Sequence, residues 1–252
     1  MVDVFDQVEE ELRSDRYKRL ARTWLPVVGG VLLVALIAAL SWWGWQSWQT
    51  AKADKGSIAY QRGLESLEAS NAVGADAAFV QAAKEGNGAY KALALQQRAG
   101  LKLQANDIPG AVALLDEAAR ATRDPIIADA AALKAAWLVM DTANLEDITK
   151  RLEPLTDAKR PYSAFAREAL AMAQLQHGKA AEAREALVVL KNALDTPQIV
   201  SQRADLAIAS IDSGTAGNLA AITRAAGEAE AAARAQAAPA APTAAPAAAA
   251  RP

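Results

Sequence analysis

Between Thr23 and Ala51 the chain carries no ionisable side chain, and this stretch constrains the fold more than any other feature. Its apolar heart runs Leu25-Pro-Val-Val-Gly-Gly-Val-Leu-Leu-Val-Ala-Leu-Ile-Ala-Ala-Leu40, and Trp42, Trp43, Trp45 and Trp48 follow. A helix needs about 20 mostly apolar residues to cross ~30 Å of hydrocarbon, because each residue rises ~1.5 Å. Trp24 to Trp43 then covers ~28 Å, close to one hydrocarbon thickness. Five of the six tryptophans flank the stretch, where their amphipathic rings suit the headgroup zone. Trp24, Leu25, Leu36, Trp42, Trp43, Trp45 and Trp48 are therefore the expected membrane-anchor residues. Pro26 is expected near the helix start, where a missing N–H costs little. A buried core helix is one rival, but it has no use for tryptophan at both ends. A cleaved signal peptide is the other. Ala39-Leu40-Ser41 offers small residues for cleavage, yet the apolar run is long and bulky tryptophans would follow the cut.

Flanking charge sets the expected orientation. Arg13, Arg16, Lys18, Arg19 and Arg22 precede the apolar stretch, and Lys52, Lys55 and Arg62 follow it. The bias puts the N-terminus in the cytoplasm. In a bacterium the chain is then a single-pass inner-membrane protein with residues from about 52 onward in the periplasm. Residues 3–22 read as a short cytoplasmic helix. Val4, Val8 and Leu12 lie on one face beside Phe5, acidic residues crowd the start, and basic residues crowd the end, as the helix dipole favours. It serves either as a plain juxtamembrane helix or as a docking element.

Composition selects the fold class of the remainder. Hydrophobic residues make up 52% of the 252, but aromatics only 5%. Alanine, the best helix former and a poor strand former, supplies about half of the apolar count, so the chain is expected to be all-α. The net charge of −2 is spread along the chain, with no basic face for phosphate, which argues against nucleic acid as a partner. There is no cysteine, so disulfides, zinc ribbons and thiol chemistry are excluded.

The domain repeats itself. Ala89-Tyr-Lys-Ala-Leu-Ala-Leu-Gln-Gln-Arg-Ala-Gly-Leu-Lys-Leu-Gln104 aligns with Pro161-Tyr-Ser-Ala-Phe-Ala-Arg-Glu-Ala-Leu-Ala-Met-Ala-Gln-Leu-Gln176 at an offset of 72 residues. Tyr90 meets Tyr162, Leu103 meets Leu175, and further on Ala111 meets Ala183 and Leu115 meets Leu187. Seventy-two is two units of about 36. A middle unit follows from Ala135, Ala136, Val139, Ile148 and Leu152. Each unit reads helix, turn, helix, with turns at Asn106-Asp107, Thr142-Ala-Asn144 and His177-Gly178. Pro125, Pro161 and Pro197 are each expected in the first turn of a new helix.

The spacing resembles tetratricopeptide repeats, which run about 34 residues with small residues where two helices cross. Ala99, Ala111, Leu115 and Ala118 carry the pattern in one pair, and Ala171, Ala183 and Leu187 in the last. Residues about 57–87 supply a divergent first pair. The expected architecture is thus one N-terminal transmembrane helix followed by a tetratricopeptide-like α-solenoid of about four helix pairs. Its boundaries are a cytoplasmic segment 1–22, the span 23–50, the repeat domain 51–212 and a tail 213–252. In the tail, residues 215–234 read as a weak helix, and the Ala/Pro run 235–252 as disordered with polyproline II character. Stacked pairs leave a surface lined by the first helix of each pair. Leu93, Gln96, Leu133, Trp137, Phe165 and Met172 are its candidate lining, either as core or as a partner groove.

Catalytic chemistry is hard to find. His177 is the only histidine and falls in a turn. No His or Cys cluster, Gly-rich phosphate loop or paired carboxylates stand out. No catalytic, metal or cofactor-binding residue, no cofactor and no small-molecule substrate is expected.

Two motifs carry a closer resemblance: Ser57-Ile-Ala-Tyr60 where the repeats begin, and Gly88-Ala-Tyr-Lys-Ala-Leu-Ala94 at the second pair. With Val8-Glu-Glu-Glu-Leu-Arg-Ser-Asp15 they make residues 1–212 similar to the bacterial ancillary subunits of the Sec translocon, alphaproteobacterial branch. The Ala/Pro tail departs from that pattern. The resemblance implies a non-enzymatic scaffold that links protein export to periplasmic chaperones, with the translocon, chaperones or exported chains as partners. The alternative is an envelope assembly or division scaffold of the same topology with other partners.

Overall fold

The computed structural model describes the backbone of residues 4–218 and Ala229, and the side chains of Arg22 and of residues from Trp24 to Gly217. Among the described residues the fold is all-helical. Helix α1 spans Val4–Glu68, α2 Ala72–Glu85, α3 Gly88–Gln104, α4 Ile108–Ala121 and α5 Pro125–Val139. Helix α6 spans Leu145–Leu152, α7 Ser163–Gln176, α8 Ala180–Asn192 and α9 Gln198–Asp212. Short 3-10 turns occupy Glu153–Leu155 and Thr215–Asn218. The Ala/Pro run 235–252 and all of 219–234 except Ala229 lie outside the described residues, as do the side chains of 1–21.

Helix α1 has no break at residue 22 or at residue 50, so the apolar stretch and the first repeat helix form one continuous element of 65 residues. Pro26 lies inside this helix, not at its start. The charged residues upstream extend the helix back to Val4, so Pro26 leaves the Arg22 carbonyl without its usual donor.

The chain forms two compact units, divided within α3 between Arg98 and Ala99. In the N-terminal unit the last turns of α1 pack on α2. Phe79 is fully buried, and its ring centroid lies 5.5 Å from that of Tyr60. Gly63 makes this contact fit: a Cβ there would stand 2.4 Å from Phe79 Cε1. Gly56 permits an equally close pass, since its Cβ would come 2.6 Å from the Gly86 Cα. Both motifs singled out in the sequence converge on this core. Ala59 is buried, the Tyr60 and Tyr90 rings meet edge to face at 6.1 Å, and the Gln97 amide donates to the Tyr60 hydroxyl at 2.9 Å.

In the C-terminal unit successive helices pack in order, α4 on α5, α5 on α6, α6 on α7, α7 on α8 and α8 on α9. The second helix of each pair buries residues at i, i+4 and i+7: Ala111, Leu115 and Ala118 on α4; Ile148, Leu152 and Leu155 at α6; Ala183, Leu187 and Leu190 on α8. That spacing is one stripe of a helix, and alanine at the crossing lets backbones approach. The small residues expected to mark the crossings, Ala99, Ala135, Ala136 and Ala171, are buried with them.

Helix ends follow local chemistry. Asn71 caps α2 and Asp107 caps α4, each accepting from the N–H three residues on, Gly74 and Gly110, at 2.9 Å. Lys102 and the Gly110 N–H hold the Asp107 carboxyl below its usual pKa. Asn144 caps α6 through the Asp147 N–H at 2.9 Å. Pro125 is the first residue of α5 as expected, but Pro197 is the cap of α9 and Pro161 stands ahead of the Tyr162 cap of α7. A preceding turn, closed by the Ser163 N–H on the Arg160 carbonyl, delays the start of α7. Pro154 has no N–H to offer the Lys150 carbonyl, so α6 stops after eight residues and tightens into the 3-10 turn.

Polar side chains tie neighbouring pairs together at repeat spacing. Arg151 on α6 bonds Asp116 on α4 at 2.7 Å, 35 residues away. Arg203 on α9 forks onto Glu168 on α7, again 35 residues away. The Glu168 hydrogen bond raises the Arg203 pKa against a smaller opposing effect of burial.

Asp129 on α5 pairs with Arg160, but it is only 1% exposed and its Oδ2 has no partner. Burial pushes its pKa up, while Arg160 acts in the opposite direction. The folded chain thus holds this proton more tightly than the unfolded chain, whose aspartates titrate at about 3.9. Stability contributed by this group falls as pH rises through that value towards the raised one. Asp129→Asn is expected to flatten the fall, with the thermal midpoint at pH 7 unchanged or higher. Melting curves of the detergent-solubilised chain between about pH 4 and 7 test this; a steeper pH dependence than wild type would contradict it.

Candidate functional site

The anchor residues face outward. Trp24, Leu25, Leu36, Trp42, Trp43, Trp45 and Trp48 are each half or more exposed. Val27, Val28, Val31, Leu32, Leu33, Val34, Ile37 and Leu40 are exposed with them, so the helix is apolar on every side. Within Trp24–Glu68 the stretch long and apolar enough to span a membrane has none of its surface buried against the rest of the chain. Such a surface in water would be a severe aggregation hazard; it is a candidate membrane span. Where it ends, Lys52 sets its ammonium 3.8 Å from the Trp48 ring centroid, and Trp45 packs beside Trp48 at 5.5 Å. That pairing of aromatic and cation suits an interface where apolar and wet surroundings meet.

The six candidate groove residues divide between the two units. Leu93 and Gln96, on α3, belong to the N-terminal unit and are half-buried. In the C-terminal unit, Leu133 is 2% exposed and sits in the cluster of Ala136, Ile148, Leu152 and Ala169. It is a packing residue in this arrangement. Phe165 packs against the same cluster and, on its other side, against Leu190 and Val200. The Arg203 guanidinium lies 5.9 Å from its ring centroid. Met172 is half-buried. Trp137 is 47% exposed, so a large ring that could fill a core instead presents half its surface on α5.

A second feature escaped the sequence reading. A cavity of about 460 Å³ runs between α7 and α8. Leu170, Ala171, Ala186, Val189 and Leu190 form its apolar floor, with Arg167, Gln174, Glu182 and Glu185 around it. Thr156, just past the shortened α6, closes one end, and its carbonyl accepts from Arg167 Nε at 2.9 Å. Gln174, which lines the cavity, has its Oε1 buried without a hydrogen-bond partner. The signal was present in Leu187-Val-Val-Leu190, because four apolar residues in succession on a helix cannot all face one core.

Among the described residues, no group of three or more His, Cys, Asp or Glu side chains converges in a way that could hold a metal ion. His177 ends α7 as an exposed cap.

A family model described as a tetratricopeptide repeat-like domain matches residues 18–203. No curated protein and no solved structure matches the chain. The matched range begins before the apolar stretch and ends within α9, well over half the sequence. The chain belongs to the tetratricopeptide repeat-like domain family.

Proposed function

We propose that this protein is a membrane-anchored interaction scaffold of the bacterial inner membrane, with its N-terminus in the cytoplasm and its repeats in the periplasm. The observation that carries the reading is the outward-facing apolar helix that runs unbroken into helical repeats. Repeat domains of this family are scaffolds for protein partners, and we assign this one no catalytic role. The partners we propose are the translocon, periplasmic chaperones and exported chains, which rests on the resemblance of Ser57-Ile-Ala-Tyr60 and Gly88-Ala-Tyr-Lys-Ala-Leu-Ala94 to translocon ancillary subunits. The binding surface we propose is the exposed Trp137 together with the apolar floor between α7 and α8. Half-exposed aromatic rings and open apolar grooves are where interfaces concentrate their energy.

Affinity purification of the full chain from solubilised membranes tests the partners. Translocon components and chaperones are expected to co-purify. Trp137→Ala combined with Val189→Asp is expected to cut their recovery about tenfold or more without lowering the thermal midpoint. Recovery of cell-wall or outer-membrane assembly factors instead would favour the envelope-scaffold alternative. A reporter fused after Pro252 and active only in the cytoplasm would overturn the orientation.

A further inference from the structure

Charge on α8 is sorted by face. Arg184 pairs with Asp212 at 2.7 Å and Lys191 pairs with Asp205, so both bases serve α9. Ala183, Leu187 and Leu190 are buried. The remaining stripe, Glu182, Glu185, Ala186 and Val189, lines the cavity shared with α7. Both glutamates are exposed, and among the described residues neither forms an ion pair. Arg167 is the one base among the described lining residues, and its Nε–H donates to the Thr156 carbonyl at 2.9 Å. Two carboxylates against one guanidinium leave this lining net negative.

The apolar and acidic positions also have a matching spacing. Val189 lies four residues past Glu185, about 6 Å along the helix axis. An extended chain repeats its same-face side chains every two residues, about 6.6 Å. A segment laid along α8 can therefore set one side chain over Ala186 and Val189 and the next on that face beside Glu185. A lysine or arginine suits the second place, because its methylene stem can lie on apolar surface while its cationic head meets a carboxylate. The volume of about 460 Å³ gives room for a few side chains of such a segment rather than for a folded element.

We propose that this groove takes an extended protein segment in which an apolar side chain and a Lys or Arg stand two residues apart. The proposal rests on the interaction-scaffold reading and adds which segments of a partner are held. The apolar floor supplies adhesion, and the unpaired Glu182 and Glu185 supply selection, since a like charge brought to them is repelled.

The test uses the full chain in detergent and a short fluorescent peptide that repeats Leu-Ser-Lys-Ser, read by anisotropy with empty micelles as the blank. A twin peptide carries glutamate in place of lysine. Wild type is expected to bind the lysine peptide about tenfold or more tightly than its twin. Glu182→Lys with Glu185→Lys is expected to reverse that preference, a gain of binding that misfolding cannot produce. Val189→Ser is expected to weaken the lysine peptide about fivefold, because a partly covered apolar contact is lost. Equal binding of the two peptides to wild type, or a preference for lysine that survives the double reversal, would overturn the proposal. Affinity purification separates this from the scaffold reading. Partners recovered equally by wild type and by the double reversal would leave the scaffold standing and overturn charge selection by the groove.

Discussion

Arginine placed at both Leu32 and Leu36 is expected to strip the chain from the membrane. Both side chains point away from the rest of the protein, so nothing in the fold can shelter a charge there. They lie near the middle of the Trp24–Trp43 interval, where an arginine costs about 2.5–3.5 kcal/mol to insert. Two such residues cost about 5–7 kcal/mol, beyond what snorkelling from the centre relieves. Wild-type protein should stay with the membrane through an alkaline wash, and the double variant should appear in the soluble or aggregated fraction. Gln46→Arg with Thr50→Arg, beyond the apolar heart, serves as a control and should leave the partition unchanged. Retention of the Leu32/Leu36 double variant would remove the anchor reading. The mass of the wild-type chain settles the signal-peptide rival in the same preparation, because a cut after Ser41 would remove residues 1–41.

The N-terminal unit offers the largest stability effect. Phe79→Ala empties a fully buried ring site, and such truncations cost about 3–5 kcal/mol. Gly63→Ala acts from the other side of the same contact. Its Cβ would fall within 2.4–2.8 Å of three ring atoms of Phe79, so ring or backbone must shift, at a cost of about 1–3 kcal/mol. The two sites touch, so their effects should not add. Gly63→Ala combined with Phe79→Leu is expected to be about 1 kcal/mol more stable than the sum of the single variants predicts, because a smaller side chain makes room for the methyl group. Denaturant unfolding of the detergent-solubilised chain, followed by circular dichroism, measures this coupling. Strict additivity would mean that the close approach of α1 to Phe79 is not maintained in solution.

Much of the fold was legible because it rests on local chemistry. Alanine content predicted helices, and the small residues Ala99, Ala111, Ala171 and Ala183 predicted where helices cross. Asn106-Asp107 and His177-Gly178 predicted turns because Asn and Gly tolerate left-handed backbone and Asp caps the next helix. Where prolines stood relative to helix starts was less legible. The cap position depends on the whole preceding turn, and Pro161 and Pro197 fell outside the helices they announce.

Which of the candidate groove positions are covered was less legible. Leu133 and Trp137 lie four residues apart on one helix and looked equivalent in sequence, yet one is packed inside and the other half exposed. Which one is covered depends on where α6 and α7 run, and no period within α5 encodes that. The groove between α7 and α8 was missed for a related reason. It needs two helices and the end of a third, shortened by Pro154, to exist at all.

By itself the sequence determined the apolar stretch from Thr23 to Ala51, the helical class, the 36-residue period and the family's small-residue spacing. Each is a property of residues within a few turns of one another, set by steric and solvation preferences that need no distant partner. The tertiary structure alone decided that the apolar stretch and the first repeat helix are one continuous element. It also decided that Gly63 exists to admit Phe79, and that Asp116 with Arg151 and Glu168 with Arg203 are pairs rather than scattered surface charges. Those facts depend on which surfaces meet across 16 to 35 residues of chain, and such meetings are fixed by packing rather than by any local pattern.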